Sequence, residues 1–444
     1  MTLPDQFVIQ MKDLLGSEYQ DFASALQEQP PVSVRLNPFK SEHELSLMNS
    51  VPWCAQGFYL KERPVFTIDP FFHAGHYYVQ EASSMFLDYI IKFINLKNNS
   101  KVLDLCSAPG GKSTLLLSHM ANEGFLHSHE YDPYRMGILK QNIERWGYSN
   151  SIITSGPLAQ LKRLDIRYDL ILVDAPCSGE GMFRKEKDAL SQWNLNKVNH
   201  CCNLQKNIMS IADTLCAQNG YIVYSTCTWN QKENEDILQS YILSGKYSPI
   251  KIENKYEINE YLNHTYTYRM FPHKISGEGF SVSVIKKEIS VDSEYSTLKT
   301  HSDHGPGIKF NMDYWIENNK RFSSIIFKEK YLALNQNCLD GFYNISHKIS
   351  TSHMGISIGS FKGEDFYPSH GLSQSVFLNN NLEHLSMNRE QALDYLRAST
   401  PSIHISTKNQ WLVANYKTAK LGWLKSGGSG LKNYFPKNQR IISF

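Results

Sequence analysis

Through the middle of the chain, short apolar runs alternate with amphipathic stretches. KVLDLCSA, from Lys101, is followed by a helix predicted from Lys112. GFLHSHEYD is followed by one near Tyr134–Trp146, and SIITS precedes YDLILVDAP. A helix near Asn203–Cys216 then leads to GYIVYSTC, and one at Glu233–Leu243 leads to GFSVSVIKK. Runs apolar on both faces suit parallel strands covered by helices on both sides, so the alternation predicts a doubly wound α/β sheet. GFSVSVIKK is expected as an edge strand. Upstream, residues 4–28 have the pattern of one or two amphipathic helices stopped by Pro30 and Pro31. A strand-like VSVRLN follows, then an aromatic, proline-rich stretch from Pro64 to Tyr78 and a helical pattern from Val79. The Ser/Thr/Asp-rich segment 290–307 is expected to be a linker, and beyond it the periodicity places no strands.

The 444 residues exceed what one hydrophobic core serves, so several domains are expected. The eight cysteines form no CxxC and no zinc-like spacing with histidine. With an acid-bearing N-terminus and apolar runs far short of a membrane span, the expectation is a cytoplasmic protein with reduced thiols. No metal is expected. His127 and His129 alternate on a strand, as surface or packing residues do, and His301 and His304 fall in the linker. Charge changes the picture more. The net charge of +2 divides into +8 after Asp394 and −6 before it, and that basic tail points to a polyanionic partner, RNA or DNA.

VLDLCSAPGGKSTLLL joins a buried strand to a helix through a glycine turn, but lacks both Walker and dinucleotide spacing. Glu130 ends the next strand, where a carboxylate meets ribose hydroxyls. Together these suit S-adenosylmethionine, against the plainer reading of a structural βαβ turn. Two further strands deliver Cys177, in DAPCSGEG, and Cys227, in YSTCTWN, to neighbouring tips. Cys54, Cys201, Cys202, Cys216 and Cys338 have the setting of small buried hydrophobes. Two thiols in one crevice suit methylation of a pyrimidine carbon. C5 of cytosine becomes nucleophilic only after a thiolate adds at C6, and the adduct must later be released. Asp174, three residues before Cys177, is placed to hold the base, which must be flipped out of a structured nucleic acid.

CSAPGGK (106–112), DAPCSGEGMFRK (174–185) and STCTWNQKENE (225–235) resemble the Sun-type RNA cytosine-C5 methyltransferases, and in particular a bacterial branch acting on small-subunit ribosomal RNA. SVRLNPFK, YYVQEASSM, MFPHKISGEGFSVSVIKK and LGWLKSGGSGLKNYFPKNQRI extend the resemblance over nearly the whole chain. It implies a Rossmann-like S-adenosylmethionine-dependent methyltransferase sheet with a small N-terminal α/β domain and a C-terminal PUA-like RNA-binding region. The boundaries expected are 1–78, a catalytic domain at 79–288, a linker at 289–308, an intermediate domain at 309–385 and the PUA-like module at 386–444. Cys227 is implied as nucleophile and Cys177 as the residue aiding release, with Asp174 between cofactor and base. Cys106, Ser107, Ala108, Pro109, Gly110, Gly111, Lys112, Glu130 and Asp174 are implied to hold the cofactor. Ribosomal RNA, free or in the assembled small subunit, is the implied partner of a monomer.

Two departures stand out. Ser155 occupies a third-strand tip where the family often has an acid, and Ser281 replaces an aromatic. A DNA cytosine methyltransferase would use Cys177 as nucleophile, but the TC motif and basic tail argue against it. Action on tRNA or another RNA, and a catalytically weak ribosome-assembly factor keeping the fold, are the remaining alternatives. Amine methylation is disfavoured, because DAPC lacks the aromatic that chemistry uses.

Overall fold

The structure is a computed structural model describing residues 2–256, 258–288, 311–401, 403, 409–428 and 430–442. The linker expected at 289–308, with His301 and His304, lies outside the described residues. The expected catalytic region contributes β1 (Lys101–Asp104), β2 (Phe125–Glu130), β3 (Ser151–Ser155), β4 (Tyr168–Asp174), β5 (Cys216–Thr226), β6 (Asn259–Asn263), β7 (Thr265–Met270) and β8 (Phe280–Lys287) to a sheet joined by β9 (Thr351–Met354), with Tyr247–Pro249 pairing β8 off the main path. The sheet order is β6-β7-β8-β5-β4-β1-β2-β3-β9. The β5-β4-β1-β2-β3 heart is parallel, as the alternation predicted. The helices between these strands include α1 (Gly111–Met120), α2 (Pro133–Trp146), α3 (Leu195–Leu215) and α4 (Glu235–Leu243).

The strands are apolar on both faces because both are covered. Val102, Leu126, Ile153, Leu170, Leu172 and Val223 face one core, with α1, α2 and the Phe86–Phe93 helix. Leu103, Phe125, Ile152, Ile171, Val173 and Ile222 face the other, with α3 and the N-terminal helices Asp5–Leu15 and Tyr19–Ala25. Those N-terminal helices match the amphipathic pattern, and their apolar stripe meets catalytic-region aromatics. Phe7 packs edge-on against Phe183 and Trp193.

GFSVSVIKK is not an edge strand. β8 is antiparallel to β5 on one side and to β7 on the other, and the β6–β7 hairpin forms the border. At the opposite border β9 runs antiparallel to β3, so residues beyond the linker complete the sheet. α3 also begins earlier than its apolar pattern, at Leu195, because the Asn194 side chain caps it by accepting the Lys197 N–H.

Three four-stranded sheets surround this body. Ser33–Leu36, Leu47–Ser50, Gly57–Leu60 and Tyr77–Val79 form the N-terminal one, and Ser323–Phe327, Lys330–Leu334, Ile356–Lys362 and Asp365–Pro368 the second. His384–Met387, Trp411–Tyr416, Ala419–Gly427 and Gly430–Asn433 form the last. The first and last share a core through Phe71, Tyr77, Tyr395, Tyr416 and Phe435.

Candidate active site

Strand order reverses between β1 and β4, which leaves a crevice beyond their carboxyl ends. On one side stands the glycine turn. Gly110 takes φ +110°, a region open to glycine and strained for other residues. The Ser107 hydroxyl donates to the Asp104 carbonyl at 2.7 Å, the Arg135 guanidinium to Ala108 O at 2.7 Å and the Asn142 amide to Pro109 O at 2.7 Å. Glu130 ends β2 buried, its carboxylate accepting the N–H groups of Ala108 at 3.2 Å and Asp132 at 3.0 Å. Burial and the carboxylates of Asp104, Asp174 and Glu130 push the Cys106 thiol far up, so it stays protonated beside the turn.

On the other side β4 and β5 deliver the thiols. Because these strands are parallel and in register, with Asp174 opposite Ser225, their tips lie side by side. The Cys177 and Cys227 sulfurs are 3.1 Å apart, and the Cys227 N–H points at the Cys177 sulfur at 3.3 Å. The hydrogen bond to Cys227, then burial, then the nearby Glu233 charge hold Cys177 well above the ordinary thiol range. Cys177 therefore keeps its proton, and one S–H···S contact joins the two thiols. Asp174 is fixed on both oxygens, by Lys112 Nζ at 2.7 Å and the Ser225 hydroxyl at 2.8 Å. Burial works against the Lys112 ammonium, but the Asp174 charge and hydrogen bond outweigh it, with Cys227 adding, and raise it overall. Cys106 to Lys112, Glu130, Asp174, Cys177 and Cys227 thus line one crevice. Cys54, Cys201, Cys202, Cys216 and Cys338 are buried elsewhere, as expected of packing residues.

Several residues not singled out from sequence hold this arrangement. Glu180 accepts the backbone N–H groups of Trp229 at 2.7 Å and Asn230 at 3.1 Å, tying the Cys177 loop to the Cys227 loop. Glu233 does the reverse, accepting the Ser178 N–H at 2.8 Å. A buried carboxylate of this kind is stabilised by several donors at once. Arg35, of VSVRLN, reaches across from the N-terminal sheet and donates to Gly111 O at 3.1 Å and Thr114 Oγ1 at 2.6 Å. Asp104, under the turn, has one oxygen bound to the Ser113 hydroxyl at 2.7 Å and the other with no partner. Burial lifts its pKa to about 7. The sequence signal for the two clamps was their position inside the SGEG and ENE motifs. For Arg35 and Asp104 nothing local distinguished bracing from packing.

The two departures have local accounts. Ser281 donates its hydroxyl to Thr228 O at 2.6 Å, steadying the loop behind Cys227. Ser155 ends β3 beside Glu130, and its N–H goes to Ser350 O at 3.0 Å. His127 and His129 prove fully buried, so packing is their role and surface exposure is not. They form a chain through Tyr168, Thr154 and the Gly156 carbonyl, and burial drives His129 down to about 4.

Residues 91–286 match the family described as 16S rRNA methyltransferase RsmB/F. Residues 3–82 match the N-terminal domain of 16S rRNA methyltransferase RsmF, and residues 383–441 the methyltransferase RsmF PUA domain. Among curated relatives, a Vibrio cholerae protein named ribosomal RNA small subunit methyltransferase F is 33% identical over 312 residues. That alignment spans 66% of this chain but only 65% of the relative's length. A protein of the same name from Vibrio parahaemolyticus is 27% identical over 98% of this chain and 97% of its own. A solved methyltransferase homologue from Pyrococcus horikoshii shares 25% identity and a TM-score of 0.56, covering 64% of this chain and 95% of that one. NSun6 from the same organism, at 18% identity and TM-score 0.56 over 65% of this chain and 99% of that one, shares the fold. The α/β, Rossmann-like methyltransferase sheet with a C-terminal PUA region is therefore the fold of this chain.

Proposed function

The chain belongs to the RsmB/F family of 16S rRNA methyltransferases, and on that premise we propose that it methylates C5 of cytosine in small-subunit ribosomal RNA with S-adenosylmethionine as donor. The observation that carries the chemistry is the 3.1 Å approach of two free thiols beside a doubly anchored carboxylate. The residues fit the cofactor. The glycine turn from Cys106 to Lys112 permits close approach, Glu130 offers a carboxylate to a ribose, and the unpartnered Asp104 oxygen suits a cationic group. When bound there, S-adenosylmethionine supplies an electrophilic methyl group.

The protein's task is to make C5 a nucleophile. The Cys227 thiolate adds to C6, forming an S–C6 bond and moving the ring's π electrons onto C5. Asp174, held by Lys112 and Ser225, faces the Watson–Crick edge of the base and orients it by accepting the N4 amino group. After C5 gains its methyl, water takes the C5 proton, the C5–H electron pair restores the C5=C6 double bond, and the S–C6 pair returns to the Cys227 sulfur. Cys177, its sulfur 3.1 Å away, assists by offering its S–H to the departing sulfur. Protonated Cys177 cannot compete as nucleophile, which supports assigning the attack to Cys227.

We take residues 1–78 and 386–444 as RNA-contacting regions around the 79–288 catalytic domain, in a monomeric cytoplasmic enzyme. No helix among the described residues is long and apolar enough to cross a membrane. Bisulfite mapping of ribosomal RNA from cells with and without this chain tests the reading. A small-subunit cytosine should lose its protection when the chain is absent, and an unchanged small-subunit map would overturn the substrate assignment.

A further inference from the structure

A cavity of about 340 Å³ lies where the N-terminal sheet, α2 and the C-terminal sheet meet, lined among others by Lys40, Glu42, His76, Ser375, Thr418 and Lys420. One side-chain network joins it to the glycine turn: the Asn142 amide of α2 reaches Pro109 O at 2.7 Å, and the Arg145 carbonyl one turn further on meets Lys40 at 2.8 Å.

The charges there are unusual. Lys40 Nζ donates to two carbonyls, Ala74 O and Arg145 O, both at 2.8 Å, and Lys420 Nζ to the amide oxygen of Asn380 at 3.1 Å. Neither lysine forms an ion pair with a carboxylate among the described residues, although each is half-buried. The two ammonium groups repel each other, and the Arg145 guanidinium, stacked 4.3 Å over the Phe72 ring, adds to the repulsion at Lys40. Burial pushes Lys40 well below the ordinary lysine range and lowers Lys420, with Glu317 only partly opposing. Glu42 also lines the cavity, but its carboxylate accepts the Thr418 hydroxyl, and its backbone carbonyl binds the His76 ring at 2.7 Å. The Ser375 hydroxyl accepts the Phe377 N–H at 3.1 Å and retains its own proton to give. Cations sequestered without counter-charge are costly, and an anion among them removes the cost.

We propose that this cavity holds a backbone phosphate of the RNA, clasped by Lys40 and Lys420 with the Ser375 hydroxyl as further donor. The inference rests on the RNA-methyltransferase reading and adds to it an anchor for the RNA backbone. Lysines grip phosphate as point charges and carry no base information, so the contact sets affinity and orientation rather than sequence choice.

The test is binding of a folded ribosomal RNA fragment across a potassium chloride series, for the parent, Lys420→Gln and Lys40→Gln. Thermal melting identifies any variant that fails to fold, Lys40→Gln being the more exposed to that risk because its ammonium caps α2. For the folded fragment, Lys420→Gln should bind several-fold more weakly, with a salt slope about one unit shallower. Single-turnover methyl transfer at saturating fragment should match the parent. Inorganic phosphate, at matched ionic strength, should compete with the fragment for the parent and not for the variant. Unchanged affinity and slope in folded Lys420→Gln would overturn the proposal. So would inorganic phosphate raising the parent's melting temperature while RNA binding stays untouched, the mark of a small-anion site. A parent that binds the fragment but methylates no cytosine would overturn the activity instead, and the salt comparison would still stand.

Discussion

Cys227 and Cys177 share one S–H···S contact, and the proposed chemistry gives them different work. Cys177 is held protonated by its contact with Cys227, by burial and by Glu233. Cys227→Ala should therefore abolish methyl transfer while S-adenosylmethionine binding, measured calorimetrically, stays within about twofold. Residual transfer in Cys227→Ala together with a dead Cys177→Ala would reverse the assignment. The buried histidines make a different prediction, in stability. His129 is depressed to about 4, as are His73 and His370, and His76 to about 3, all by burial first. A histidine whose folded pKa lies below its unfolded value near 6.5 binds protons preferentially in the unfolded chain. Stability should thus be fully present above pH 6.5 and fall as pH drops toward 4, by up to about 3 kcal/mol for His129 alone. Urea midpoints at pH 7 and pH 5 check this, and equal midpoints would contradict it. At this scale, the thiols, Asp174 and the glycine turn were legible because each sits at the end of a recognisable strand. Arg35 and Asp104 were not, since an arginine in a strand looks the same whether it braces a distant helix or faces water.

At the scale of elements, the Cys227 loop is packed by backbone contact. A Cβ on Gly181 would sit 2.6 Å from the Gly279 Cα, and one on Gly279 only 2.3 Å from the Trp229 ring. Neither neighbour is the free end of a flexible chain. Gly279→Ala should cost about 1–3 kcal/mol through overpacking and shift the loop between Thr226 and Asn230. Melting and single-turnover rates should show activity falling more than stability does. Loss of stability with an unchanged rate would show that the glycine pair serves folding alone. The parallel heart of the sheet was readable from period alone, because strand, turn and helix follow each other locally. The borders were not. β6 and β7 displace β8 from the edge, and β9 arrives from beyond the linker, pairings between remote segments that leave no mark in local hydrophobic pattern.

Over the whole molecule, positive charge gathers in the last fifty positions, but the structure divides those lysines. Lys425 is packed between Trp411 and Tyr367, 5.3 and 5.4 Å from their centroids, with Asp365 4.0 Å away. Lys432 and Lys437 are exposed. Trp423 and Phe435 are core residues, so they are unavailable for stacking on bases. Neutralising Lys432 and Lys437 together should flatten the salt dependence of RNA binding by up to about two units, with methylation of saturating RNA intact. An unchanged slope would remove these lysines from the RNA-binding surface. The account as a whole turns on a covalent bond between Cys227 and cytosine. The most direct measurement is a denaturing gel of Cys177→Ser incubated with ribosomal RNA and S-adenosylmethionine. A slow protein–RNA band should accumulate and vanish when Cys227→Ala is added. A band that persists without Cys227 would contradict the account.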